Sequence, residues 1–244
     1  MSGVAFVQLV RLALSGQFPS ADNGGYDAVA EMSVDWMEKK GVPLRGRTVL
    51  DLGGGTGVQA LHLAKAGARV LVADLRAFPV SEEYHRVCCD ALHLGLSQNS
   101  VDAIYCSNLL EHVSPSSQSR LFEEMCRVLR PGGYVYLAWS SWLSPFGGHE
   151  HSPLHYLGAM GLDWSCRFRS LRGYSVKHYL GANLFPTYVG SVVKEITFSH
   201  PGLRIVHIVP RYWSWLGLIC KVPWVREVLT WNCVILLRKP CVEV

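Results

Sequence analysis

Charge is scarce in this sequence: Asp, Glu, Lys and Arg make up only 17% of its 244 residues, against about 25% in an average soluble domain. Long apolar runs are missing as well. No segment approaches the ~20 consecutive apolar residues that a spanning helix needs, so the 49% hydrophobic content must reside in a core, a pocket or a docking face. The net charge of +4 is too small by itself to argue for a nucleic-acid partner, where a clustered basic stripe is expected. The eight cysteines include no C-x-x-C pair, which leaves no zinc ribbon or thioredoxin-type site. Most sit in apolar runs such as AIYCSN and LGLICK and read as reduced, buried thiols, which points to the cytoplasm. The N-terminal MSGVAFVQLVRLALSG lacks a basic leading region and is interrupted by Gln8 and Arg11. Phe6, Leu9, Val10, Ala13 and Leu14 fall on one helical stripe, so the segment reads as an amphipathic helix rather than an export signal.

Short apolar runs alternate with helical patterns from residue 27 onward. Val29, Met32, Trp36 and Met37 recur at helical spacing over Asp27 to Lys40, and Gly41 stops that helix. Strands are expected at Thr48 to Leu52, Arg69 to Asp74, Tyr84 to Cys89, Val101 to Ser107 and Tyr134 to Trp139, bulky and continuous as buried parallel strands are. Helices are expected at Val58 to Ala66 and, opened by Ser114-Pro115, through Leu129. The crossover from Leu75 to Glu83 contains Pro79 and is too short for a full helix. Two further strands are expected at Leu203 to Val209 and Asn232 to Leu237. Such βα alternation predicts an α/β fold with helices on both faces of a mostly parallel sheet. One domain is expected over 1–244: N-terminal helices in 1–47, a ligand-binding core in 48–139, and an insertion with an aromatic segment and the last strands in 140–244.

The most informative stretch is VLDLGGGTG, Val49 to Gly57. A glycine turn at the end of the first strand lets backbone approach a ligand at the sheet edge, where open α/β sheets bind small molecules. The dinucleotide pattern G-x-G-x-x-G fails because position 58 is Val58, and no Gly-Lys-Ser/Thr follows to complete a phosphate loop. Asp51, two residues ahead of Gly53, would repel a pyrophosphate but suit a ligand bearing positive charge. Asp74 closes the second strand, where a carboxylate can accept from both hydroxyls of a ribose. Asp90 with Ala91 follows the third strand, and Asn108 with Leu109 the fourth. A plain capped turn is the competing reading for the glycines alone, but polar residues at four strand ends in series are far more specific.

Taken together, VLDLGGGTG (49–57), VLVAD ending in Asp74, Cys89-Asp90-Ala91, VDAIYCSNLLEHV (101–113) and LRPGGYVYLAW (129–139) resemble the class I S-adenosylmethionine-dependent methyltransferases of the methyltransferase-11 type. WLSPFGGHEHSPLHYLG (142–158), PRYWSW and VPWVREVLTWN further resemble an actinobacterial subgroup. The resemblance implies a Rossmann-like, doubly wound sheet of seven strands, an α/β/α sandwich with an antiparallel C-terminal hairpin. It implies S-adenosyl-L-methionine as cofactor, its methionine part held by Asp51 and the turn of Gly53, Gly54, Gly55 and Gly57. Asp74 would then meet the ribose, Asp90 and Ala91 the adenine, and Asn108 and Leu109 the zone near the sulfonium, with Leu75 beside Asp74 also among the cofactor-binding residues. Tyr26 matches a position where the family often closes over the cofactor. The alternatives from other classes are a protein that binds the cofactor without catalysis and a nicotinamide oxidoreductase, which Asp51 and Val58 disfavour.

Methyl transfer from a sulfonium disperses charge, so an apolar site that aligns acceptor and methyl does most of the work. A base is needed only for a hydroxyl or an acidic carbon. The expected candidates are His149 and His151, oriented by Glu150, and beside them His155, directly after the fifth expected strand. His149, His151 and His155 also have plausible metal-ligand spacing, but the resemblance implies a metal-free enzyme and no metal is expected. A structural role for these histidines is the plain alternative, and His112 is expected to cap or pack. Seven of the eight tryptophans are Trp139, Trp142, Trp164, Trp213, Trp215, Trp224 and Trp231, which concentrates apolar surface where the acceptor should lie. The basic stretch CRFRSLRGYSVKH (166–178) reads either as a solvated face or as a site for a negatively charged head group. A small or lipid-like acceptor is therefore expected, with no nucleic acid, and peripheral contact with the inner membrane face is an open expectation.

Overall fold

The computed structural model describes residues 25–241; the expected helix over residues 6–14 lies outside them. In chain order the elements are α1 (Gly25–Lys39), β1 (Thr48–Leu52), α2 (Val58–Lys65), β2 (Arg69–Asp74), β3 (His85–Cys88), β4 (Val101–Ser107), α3 (Pro115–Val128) and β5 (Leu129–Ser140). They are followed by α4 (Gly158–Leu171), α5 (Val189–Ser199), β6 (Arg204–Pro210), α6 (Pro223–Leu229) and β7 (Asn232–Arg238). The seven strands form one sheet in the order β3-β2-β1-β4-β5-β7-β6, with antiparallel C-terminal strands, the Rossmann-like arrangement expected. β1 is flanked in parallel by β2 and β4, with Leu50 opposite both Leu71 and Ile104.

Contacts group the described residues into two compact units, one of residues 25–107, 124–136 and 238–241, the other of residues 108–123 and 137–237. In the first, Val49, Leu50, Val72 and Ile104 are fully buried, as strands covered on both faces must be. The apolar stripe of α1 packs against the first half of β5: Trp36 meets Tyr136 edge-on at 5.9 Å between ring centroids, and the Ser33 and Tyr136 hydroxyls are 3.0 Å apart. Tyr136 in turn stacks on Tyr105 of β4 at 4.8 Å. β5 starts at Leu129, five residues before the expected position. The Arg130-Pro131-Gly132-Gly133 turn stays within the strand because Gly132 N–H donates to Lys239 C=O and Lys239 N–H to Gly133 C=O.

In the second unit Trp142, Leu162 and Leu184 form a small core. Glu227 organises its edge: the buried carboxylate accepts from the Ser141 hydroxyl and from the Val189 and Gly190 N–H groups, at 3.1, 2.8 and 2.7 Å. Those two N–H groups open α5 and have no partner inside the helix, so Glu227 caps it from a distant part of the chain. α4 and α5 have no counterpart among the elements expected from sequence. α4 takes in much of the basic stretch, and it turns an apolar face outward.

Candidate active site

In the first unit, β1 delivers Asp51 and the glycine turn to the edge of the sheet. Asp51 is buried and its Oδ2 has no hydrogen-bond partner. Burial, opposed by the nearby Arg86 guanidinium and reinforced by Asp74, pushes its carboxyl up to about 7. The glycines are dictated by what surrounds them. A Cβ on Gly54 would lie 2.5 Å from Asp51 Oδ2 and 2.8 Å from a Val72 methyl; one on Gly57, at φ +89°, would lie 2.1 Å from the Tyr84 hydroxyl. Asp74 fixes the turn from β2: one carboxylate oxygen accepts Gly55 N–H and the other Arg76 N–H, both at 2.9 Å. Each oxygen keeps a lone pair for a ligand. Leu75 beside it is exposed. Asp90 accepts Leu92 N–H at 2.9 Å and, like Leu75, faces solvent, with Ala91 half-buried next to it. Tyr26, partly exposed, starts α1 beside Asp27, whose carboxylate is 3.2 Å from His62 on α2.

Two residues here carry no motif. Arg86 of β3 donates to Gly55 C=O at 2.7 Å and to the Tyr84 hydroxyl at 3.3 Å, and Tyr84 donates to Thr56 C=O at 3.3 Å. This pair braces the turn from its carbonyl side. Only the pairing of Val72 with Arg86 across β2 and β3 brings the guanidinium there.

The second unit holds Asn108 and Leu109. Asn108 adopts φ +55°, which asparagine tolerates, and its side-chain oxygen accepts from Asn232 at 2.9 Å. A 3-10 turn (Leu110–His112) follows, and it supplies Glu111 and His112 to a cluster with His149 and His178. The rings of His112, His149 and His178 stack mutually with centroids 4.6 to 5.2 Å apart. Glu111 is 2% exposed, and burial raises its carboxyl above the usual range. Its Oε1 accepts Ser140 N–H at 3.3 Å and lies 3.9 Å from His149 Nε2. Burial, together with the neighbouring imidazoles, drives His149 down to about 3, so its ring is neutral at physiological pH.

The Glu150 carboxylate bonds His178 Nδ1, and the N–H groups of Lys177 and His178, rather than His149 or His151. Burial opposes its ionisation, but these donors hold its carboxyl well below the usual range. His151 is buried, with Nδ1 against the Ser165 hydroxyl at 3.0 Å and Nε2 donating to His178 C=O at 2.7 Å. Both ring nitrogens are therefore engaged in holding the fold. His155 likewise bonds Trp142 C=O at 3.1 Å. The three histidines at 149, 151 and 155 thus do not converge; the residues that do are Glu111, His112, His149 and His178. His178 lies 29 positions from His149, and no local spacing could have linked them.

A family model described as a methyltransferase domain matches residues 50–137. An uncharacterized methyltransferase of Mycobacteroides abscessus is 40% identical over 83% of this chain and 80% of its own length. The chain belongs to the methyltransferase family. Among solved structures, an S-adenosylmethionine-dependent methyltransferase from Mesorhizobium loti shares 22% identity with a TM-score of 0.56, over 88% of this chain and 100% of that one. The [4+2]-cyclase SpnF shares 17% with a TM-score of 0.55, over 97% and 93%. At these identities the two speak for the fold alone, which is that of the class I methyltransferases.

S-adenosylmethionine is the cofactor of this class, and the first unit fits it. The α-ammonium of its methionine part is the kind of cation that the partnerless, buried Asp51 oxygen lacks. Gly54 and Gly57 let the turn pack directly on Asp51, Val72 and Tyr84, while nothing lies within 4 Å of where a Gly55 Cβ would stand, which leaves that backbone open to close approach.

Proposed function

We propose that this methyltransferase transfers a methyl group from S-adenosylmethionine, by in-line displacement, to an amphiphilic acceptor taken from a lipid surface. When bound, the cofactor supplies a methyl group on a positively charged sulfur. The residues of the first unit hold it: ionised Asp51 pairs with the ammonium, the braced glycine turn lies along the methionine part, and Asp74 accepts from the ribose hydroxyls. Asp90 and Ala91 take the adenine edge, Leu75 offers it an apolar contact, and Tyr26 closes from α1.

The observation that carries the acceptor class is the outer face of α4. Leu157, Met160, Trp164, Phe168 and Leu171 follow one another at helical spacing and are 51 to 88% exposed. Gly161, Leu162 and Ser165 bury the opposite face. Soluble helices normally put their apolar stripe inward; an outward stripe of this length marks a surface for another apolar phase. Arg167 lies within the same helical stretch, and the Arg172 guanidinium lies 4.2 Å over the Phe168 ring. Basic residues flanking Trp, Phe and Leu are the composition of an interfacial helix on anionic lipid. Trp215, Leu218 and Trp224, from the 3-10 turn (Ser214–Lys221) and α6, are also exposed. No helix among the described residues is long and apolar enough to cross a membrane. Burying half-exposed side chains of this size is worth on the order of 1 kcal/mol each, enough in sum for reversible attachment.

Flotation with vesicles containing anionic phospholipid tests this reading. The protein should float with them, and Trp164→Glu with Phe168→Glu should release it without lowering its melting temperature. Equal flotation of parent and variant, or none with either, would refute the lipid-surface reading.

A further inference from the structure

We propose that Glu111, His112 and His149 form a binding site for a single divalent first-row transition ion of the zinc class. One donor atom from each of the three lies within 4.8 Å of the others. The groups are of the right kind: two imidazoles and a carboxylate are a recurrent three-ligand set for zinc, which leaves a further position for water or an oxygen ligand. Tetrahedral bonds of about 2.0–2.1 Å put donor atoms roughly 3.4 Å apart, so binding draws the side chains inward by about 1 Å. All three donors sit on short 3-10 turns (Leu110–His112 and His149–His151), where small side-chain rotations suffice.

Three features of the cluster favour a cation. Glu111 is buried, yet its Oε2 has no hydrogen-bond partner, and neither does the buried His149 Nε2. Unsatisfied polar atoms of this kind are costly unless something fills the space between them. The Arg211 guanidinium attracts Glu111 electrostatically, but Oε2 keeps no hydrogen bond, and the free imidazole nitrogen lies 3.9 Å from Oε1 of the same carboxylate. His112 donates Nδ1–H to Asn183 C=O at 2.7 Å, which fixes its tautomer and leaves the lone pair on Nε2. A backbone carbonyl holding the outer nitrogen is the usual partner of a metal-bound histidine. His178, tied to Glu150, stacks against both imidazoles and limits their motion. This site is independent of the proposed acceptor class.

Cobalt(II) is the most discriminating probe, because the eight free cysteines could bind metal on their own and thiolate ligation gives near-ultraviolet charge-transfer bands that imidazole and carboxylate do not. Chelator-treated, refolding-competent protein should take up a single cobalt ion per chain, with visible ligand-field bands and no thiolate band, and zinc should displace it. His149→Ala and Glu111→Gln should each weaken uptake at least about 10-fold, with His112→Asn as a second test of the set and His93→Ala, exposed and outside the cluster, as the unaffected control. Melting curves without metal identify any variant that has not folded. Uptake with a thiolate band, uptake indifferent to all three substitutions, or no stoichiometric uptake would each overturn the proposal.

Discussion

Asp51→Asn should make the unliganded protein more stable while impairing it as a methyltransferase. The Asp51 carboxyl is held at about 7 against 3.8 for an ordinary one, chiefly by burial. Because the folded state keeps this proton when the unfolded chain has lost it, stability falls as pH rises from about 4 to 7 and is flat above. Each pH unit in that window is worth 1.36 kcal/mol, about 4 kcal/mol in all; relaxation of the surroundings makes this a ceiling, and roughly 1–4 kcal/mol is the range to expect. Asparagine has the same shape and no charge, so the difference between variant and parent isolates this one group. Urea unfolding at pH 5 and pH 8, without cofactor, should show the variant gaining stability over the parent as pH increases. Titration with S-adenosylhomocysteine should show the opposite. Loss of a charge-assisted hydrogen bond worth about 1.5–3 kcal/mol weakens binding by roughly 10- to 150-fold. A variant that is no more stable at pH 8 than at pH 5 relative to the parent would refute the buried, desolvated carboxyl, and unchanged affinity would refute its pairing with the cofactor.

Other parts of the account are open to equally direct tests. Gly57→Ala drives a methyl group into the Tyr84 hydroxyl at a positive φ, so calorimetry should find cofactor binding lost and melting temperature lowered by several degrees. Arg86→Leu removes the bond to Gly55 C=O and should weaken cofactor binding severalfold while leaving far-ultraviolet circular dichroism unchanged. Glu227→Ala strips three donors of their acceptor and should cost about 2–4 kcal/mol in urea unfolding, with cofactor affinity preserved. Binding of S-adenosylhomocysteine to the parent should tighten as pH rises towards 7 and then level, as Asp51 ionises; a pH-independent affinity would contradict that coupling.

The cofactor half was legible because its signals are local. Buried strands such as Val49–Leu52 are continuous apolar runs, and the glycine turn announces itself by composition. Asp74 was recognisable by its place at a strand end, although its bond to Gly55 N–H was not. Arg86 and Tyr84 were invisible, since their approach to the turn depends on the register of β3 against β2. The second unit was harder to read for a physical reason. α4 carries most of its large apolar residues outward and buries only Leu162 beside Gly161 and Ser165, close to the inverse of the pattern by which soluble helices are recognised, so the stretch looked basic. The histidine cluster draws on residues 111, 112, 149 and 178, and only His149 among them was expected to take part in the chemistry.

The central claim is methyl transfer from S-adenosylmethionine to an amphiphile. Purified protein incubated with methyl-labelled S-adenosylmethionine and a total lipid extract should move label into the organic phase, with S-adenosylhomocysteine formed in equal amount, and Asp51→Asn should suppress both. Label recovered only in water-soluble products, or no S-adenosylhomocysteine formed with any acceptor although the cofactor binds, would contradict it.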